Sequence, residues 1–116
     1  MFLDHLEIEE EIDLKDKGFG VRQCKWLYVG SGIYLSIQAS PIHYCIPREL
    51  VPLNEYTHFE MGIIKKYKLN YDISIFSEFP RYGELKSHFD GGVFAYVPRE
   101  LLSDLYIWCL DNFKED

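Results

Sequence analysis

A two-residue rhythm in the middle of the chain restricts the fold more than any other feature. Ile33, Leu35, Ile37 and Ala39 alternate with Tyr34, Ser36, Gln38 and Ser40. Successive side chains of a strand point to opposite faces, so the alternation predicts a half-buried strand. The split recurs where Thr57, Phe59, Met61 and Ile63 oppose Tyr56, His58, Glu60 and Gly62, and where Val93, Ala95 and Val97 oppose Phe94 and Tyr96. Gly30-Ser31-Gly32 separates two β-favouring runs, 26–29 and 33–39, and reads as a hairpin turn. With further strands at 56–64, 73–79 and 92–97, the expectation is an α+β fold with an antiparallel sheet of about five strands. Pro98 suits a first helical turn, and Leu101, Leu105, Trp108, Cys109 and Phe113 then recur at helical spacing. A C-terminal helix should therefore pack on one face of the sheet.

A chain of 116 residues with 47% hydrophobic side chains has the dimensions of one ordinary domain. Such a chain buries roughly two thirds of its unfolded surface, so it needs no metal or disulfide staple. No apolar run approaches the ~18 to 20 residues of a membrane span, and the N-terminus is acidic where a signal peptide is basic. Cys24, Cys45 and Cys109 are odd in number and contain no CxxC pair, as expected of small core thiols in a reducing compartment. The expected location is the cytoplasm. Lys and Arg number 12 against 19 Asp and Glu, a net charge of −7. That balance repels DNA and anionic membranes, and only a local basic pocket could hold an anion.

The acidity is concentrated at one end. Seven acids and two lysines lie in residues 1–17. Phe2, Leu3, Leu6, Ile8, Ile12 and Leu14 make the segment partly amphipathic, which fits either a short docked helix or a loose acidic arm. Residues 1–17 are read as an acidic extension and 18–116 as a single α+β domain, with Gly18 and Gly20 as the hinge. Pro41, Pro47 and Pro52 make 40–55 a loop holding at most one helical turn. Pro-Arg-Glu-Leu occurs at 47–50 and again at 98–101, but the flanks differ, so it marks two Pro-started turns and not a repeat.

The face opposite the core is polar yet aromatic. Tyr34, Tyr56, Phe94 and Tyr96 supply flat surfaces that suit a second core layer, a homodimer interface or a stacked ligand, and these readings stay open together. Candidate chemistry gathers in 36–48. Arg48 can pair bidentately with phosphate, His43 can donate to the same anion, and Tyr44 offers a ring beside them, with Gln38 and Ser40 close in sequence. The plain alternative is a His and an Arg on an ordinary surface loop.

Enzymatic readings are weak. His58 and Glu60, and His88 and Asp90, are two apart and could converge with His43 on a metal, but such spacings arise often by chance. Cys45 near His43 invites a thiol nucleophile, yet a productive pair is defined by spatial approach. There is no P-loop, no dinucleotide glycine fingerprint, no GxSxG and no HExxH.

The string Ser36-Ile37-Gln38-Ala39-Ser40 with His43-Tyr44-Cys45 and Pro47-Arg48, then Tyr56, Glu60 and Tyr96-Val97-Pro98, resembles the first family of Thoeris anti-defence proteins. These are small phage-encoded sponges for the cyclic nucleotide signals of bacterial immunity. The resemblance covers roughly 33–62 and 93–102, under half of the chain. It implies non-enzymatic binding of cyclic ADP-ribose isomers and, in some members, of cyclic di- or trinucleotides, with no cofactor or metal. It also implies homo-oligomers, dimers commonly assembled into hexamers, with pockets between subunits. His43 and Arg48 match the family's histidine and arginine, associated there with a cyclic oligonucleotide pocket. Phe94, Tyr96 and Arg99 lie in the second matching stretch, where contacts to a cyclic ADP-ribose ligand are expected. The acidic extension and 65–91 depart from the family pattern.

A sponge competing with an immune effector needs nanomolar affinity, about −12 kcal/mol, and no catalytic group. Stacking supplies about 1 to 3 kcal/mol per base, and an arginine–phosphate pair adds a charge-assisted contact. The competing reading is an acidic inhibitor or immunity-type protein that binds a protein partner through its charged arm. A third is a small phosphodiesterase, which would convert its ligand where a sponge returns it intact.

Overall fold

Runs of β-branched and aromatic residues, punctuated by glycine turns, give a mainly antiparallel architecture closed by one long helix. The computed structural model describes residues 2–14 and 19–113. Its strands are β1 (Ile8–Leu14), β2 (Phe19–Cys24), β3 (Leu27–Gly30), β4 (Ile33–Gln38), β5 (His58–Lys65), β6 (Lys68–Leu69), β7 (Phe89–Asp90) and β8 (Val93–Pro98). The helices are α1 (Tyr82–Lys86) and α2 (Arg99–Asn112). Among the described residues, β1 and β2 form a hairpin of their own. The main sheet has six strands, ordered β3-β4-β5-β8-β7, with β6 also paired to β5. All its pairings are antiparallel. The expected α+β fold, with a C-terminal helix on the sheet, is what the chain adopts.

The alternation at 33–37 sorts as expected: Ile33, Leu35 and Ile37 are buried while Tyr34 and Ser36 are half-exposed. Phe59, Met61 and Ile63 continue the same inner face from β5. Helix α2 covers it with Leu101, Leu102, Leu105 and Cys109, all fully buried. Each large side chain removed from water contributes about 1.5 to 3 kcal/mol. The β3–β4 turn holds Gly30, Ser31 and Gly32 at positive φ. A Cβ on Gly30 would stand 2.5 Å from the Phe113 carbonyl oxygen, so a glycine there lets the end of α2 close on the hairpin.

Four expectations change. Residues 73–79 are not a strand: Ile73–Phe76 is a 3₁₀ turn capped by Asp72, whose carboxylate accepts from the Ser74 amide at 3.1 Å. Phe76 and Phe79 are buried from it, so an apolar run that looked like a strand anchors a loop. Among its described residues the acidic segment is one short docked turn of 3₁₀ helix followed by a strand, and not a loose arm. Phe2–His5 forms a 3₁₀ turn with Phe2 fully buried edge-on against Phe59 at 5.3 Å, and β1 pairs along β2. Gly20 lies within β2, packed under Leu50, and is no hinge, while Gly18 falls outside the described residues.

The last correction concerns the aromatic face. Tyr56 precedes β5, leaves the 3₁₀ turn Leu53–Glu55 and turns inward, fully buried, while Thr57 is exposed. Phe94 is also core. Phe59 pairs with Val97 but Met61 pairs with Phe94, so β8 carries two residues, Ala95 and Tyr96, opposite Glu60 alone. This bulge inverts the parity of β8 and sends Phe94 to the same side as Val97. Phe94 there packs against Phe76 and Phe89.

Candidate functional site

The loop following β4 folds back on the end of β5 because its backbone is paired there. The Ile46 amide donates to the His58 carbonyl at 3.1 Å, and the Thr57 amide donates to the Ile46 carbonyl at 2.9 Å. The same loop reaches β8: the bulged Tyr96 donates its amide to the Tyr44 carbonyl at 3.0 Å. Tyr96 is a non-glycine residue at φ 52°, an uncommon conformation that concentrates at functional sites. The Tyr44 and Tyr96 rings stand 5.8 Å apart. Arg48 lies over the Tyr44 ring, its guanidinium carbon 5.4 Å from the centroid. Glu60 accepts from the Tyr44 amide at 3.1 Å.

Inside this outer layer the loop is held by buried polar contacts. Ser40 Oγ and His43 Nδ1 are 2.7 Å apart, both residues being buried. Burial holds the His43 pKa below its ordinary value; Glu60 opposes that shift and Arg48 adds to it. His43 is therefore a neutral imidazole at pH 7, with Nδ1 engaged by serine. Cys45 is fully buried, its thiol facing the Ser40 carbonyl at 3.3 Å and the Pro47 carbonyl at 3.4 Å. Burial pushes its pKa up, so it stays a thiol and is unsuited to nucleophilic attack.

Of the eight residues singled out from the sequence, Ser40, His43, Tyr44, Arg48 and Tyr96 come together. Gln38 does not join them. Its side-chain oxygen accepts from the Cys24 amide at 2.7 Å and its nitrogen donates to the Cys24 carbonyl at 3.0 Å, which clamps β2 to β4. Arg99 starts α2 and donates to the Asn54 carbonyl at 2.9 Å, and Phe94 is buried in the core. The His58 and His88 imidazoles are engaged by Thr57 Oγ1 and the Ala95 carbonyl, and among the described residues no three His, Cys, Asp or Glu side chains are placed to hold a metal.

A second aromatic group is absent from the sequence reading of the site. Trp26 and Tyr28 flank Tyr34 on the outer face, with ring centroids 6.2 and 4.9 Å away. The β3–β4 pairing, Leu27 to Leu35 and Tyr28 to Tyr34, creates it, and the hairpin signal at Gly30-Ser31-Gly32 could have located it.

The loop presents Ile42, Tyr44 and Ile46 to solvent and β8 adds Tyr96, each 38 to 51% exposed, beside the exposed Arg48. Arg48 Nη2 donates to the Pro41 carbonyl at 3.3 Å, so the guanidinium is held in place while its remaining N–H groups can meet an anion. Such a surface can stack a planar ring and pair a phosphate without doing chemistry on either. No family model, no curated protein and no solved structure matches this chain. Among the described residues no helix is long and apolar enough to cross a membrane.

Proposed function

We propose that the chain is a non-enzymatic sponge that binds and sequesters cyclic nucleotide immune signals, cyclic ADP-ribose isomers or cyclic di- and trinucleotides. The observation that carries this reading is the Tyr96–Tyr44–Arg48 cluster: two exposed rings tilted at 40° to each other, with a guanidinium over the Tyr44 ring, on and beside a loop pinned by Ser40, His43 and Glu60. Stacking and a phosphate-pairing arginine are what a cyclic nucleotide requires. The buried Cys45 thiol and the neutral, serine-engaged His43 support binding over turnover. The exposed apolar residues of the loop favour pockets completed by a second copy, in keeping with a homo-oligomer. The cytoplasm is the compartment in which such signals and free thiols coexist.

Incubation with a panel of cyclic ADP-ribose isomers and cyclic di- and trinucleotides, followed by filtration, heat denaturation and chromatography, tests the proposal. An intact ligand released by heat is the expected result. A converted product would indicate an enzyme, and no retained nucleotide would overturn the reading. Arg48→Ala, at an exposed position, should weaken retention at least tenfold with an unchanged circular dichroism spectrum.

One observation favours a protein partner as a second reading: every residue of β1 is exposed, and Glu9, Glu10, Ile8 and Ile12 are presented on a strand whose outer edge is unpaired among the described residues. Glu9→Lys with Glu10→Lys should abolish partner capture on that reading and leave nucleotide retention untouched on the first.

A further inference from the structure

Against a net charge of −7, three of the chain's cations lie within four residues at the β5–β6 turn. Lys65, Lys66 and Lys68 are exposed and, among the described residues, make no ion pair; with Leu69, Asn70 and Tyr71 they line a hollow of about 390 Å³. Tyr71, 63% exposed, is also a wall of a second hollow of about 260 Å³, shared with Phe89, Gly91 and Gly92. The second hollow is apolar and aromatic. A Cβ on Gly92 would stand 2.6 Å from Tyr71 Cε1, so the bare backbone there is what admits the Tyr71 ring. Asp72 faces Lys65 electrostatically, but its carboxylate is engaged by Ser74, and the lysines outnumber it.

A basic hollow and an apolar aromatic one joined through a single tyrosine wall suit a ligand that is anionic at one end and planar at the other. We propose that these two hollows form one nucleotide site, with phosphates among Lys65, Lys66 and Lys68 and the base between Tyr71 and Phe89. Ammonium groups attract phosphate as point charges, and base–aromatic stacking accepts any base. The site is separate from the Arg48 loop. Lys65 stands five residues along β5 from Glu60, about 17 Å at a strand's rise of roughly 3.4 Å per residue. It therefore does not depend on the sponge reading.

Equilibrium dialysis at physiological salt against adenosine triphosphate, inorganic tripolyphosphate and adenosine tests it, in the wild type and in an Arg48→Ala background that removes binding at the loop. Adenosine triphosphate should still be retained in the Arg48→Ala background, and there more tightly than either fragment. Lys66→Glu with Lys68→Glu should weaken it at least about tenfold. Tyr71→Ala should weaken it about fivefold or more while tripolyphosphate is unaffected. These side chains are exposed, and unchanged circular dichroism verifies that the variants fold. Equal binding of tripolyphosphate and adenosine triphosphate would overturn the proposal, leaving only a diffuse attraction for anions. So would loss of binding with Arg48→Ala alone, which would place the nucleotide at the loop. A fall in sedimenting mass on lysine replacement, with affinity for adenosine triphosphate unchanged, would overturn it by assigning the patch to a contact between copies.

Discussion

At the residue scale, burial sets the chemistry of the reactive side chains. Desolvation pushes the Cys24 thiol up to about 11 and the Cys109 thiol to about 12, and raises Cys45 as well. None of the three should react with a thiol-modifying disulfide reagent within minutes at pH 8 in the folded protein, and all three should react in guanidinium. Fast labelling of Cys45 in the native state would contradict its burial. The histidines act in the opposite sense. His43 and His58 both titrate below their ordinary value in the folded chain because burial disfavours the imidazolium. Their stabilising contribution is complete above the unfolded pKa of about 6.5 and is lost as pH falls through the folded values, since the unfolded chain then binds more protons. Urea midpoints should fall between pH 7.5 and 5.5, and His43→Gln should flatten part of that slope. That Ser40, His43, Tyr44 and Arg48 lie close together was legible from their spacing along one loop. That Gln38 is a clamp was not, because its partner Cys24 is a backbone unit of a different strand.

At the element scale, the N-terminal segment shows how composition misleads. Seven acids in seventeen residues read as a solvated extension, yet Phe2 and Leu6 belong to the core cluster and Arg22 of β2 is buried, bonded to Glu11 at 2.8 Å and to the Tyr56 hydroxyl at 3.3 Å. A few apolar residues outweigh the charges because the residues of β1 stay exposed, Glu11 pairing with Arg22 from there, while the Phe2 ring leaves water. Phe2→Ala should cost about 3 to 5 kcal/mol, a large share of a domain's stability, measurable as a lowered urea midpoint. A cost below ~1 kcal/mol would mean that the first turn is not docked. The β8 bulge is the other element that spacing conceals. Alternation assigned Phe94 and Tyr96 to one face, and a single inserted residue separates them into core and surface. The same bulge places Tyr96 beside Tyr44, so the feature that breaks the pattern also builds the candidate site.

At the scale of the whole molecule, stability is unevenly distributed. β5 is paired on both sides, to β4 on one and to β6 and β8 on the other, and Phe59, Met61 and Ile63 on its inner face are buried. β1 is exposed throughout and paired on one side only among the described residues. Amide hydrogen exchange should therefore be fast across β1 and slow, near the global limit, at Met61 and Ile63; uniform protection would show that β1 is covered in solution. The sequence by itself determined the strand periods of β4 and β5, the β3–β4 turn, the C-terminal helix and the acidic balance of charge. Each of these depends on interactions between near neighbours, or on composition, and so is written locally. Tertiary structure alone decided the parity of β8, the inward turn of Tyr56, the capture of Phe2 by the core and the meeting of Tyr44, Tyr96 and Arg48. Those depend on which strand pairs with which and in what register, a choice made by long-range burial that no single stretch of the chain contains.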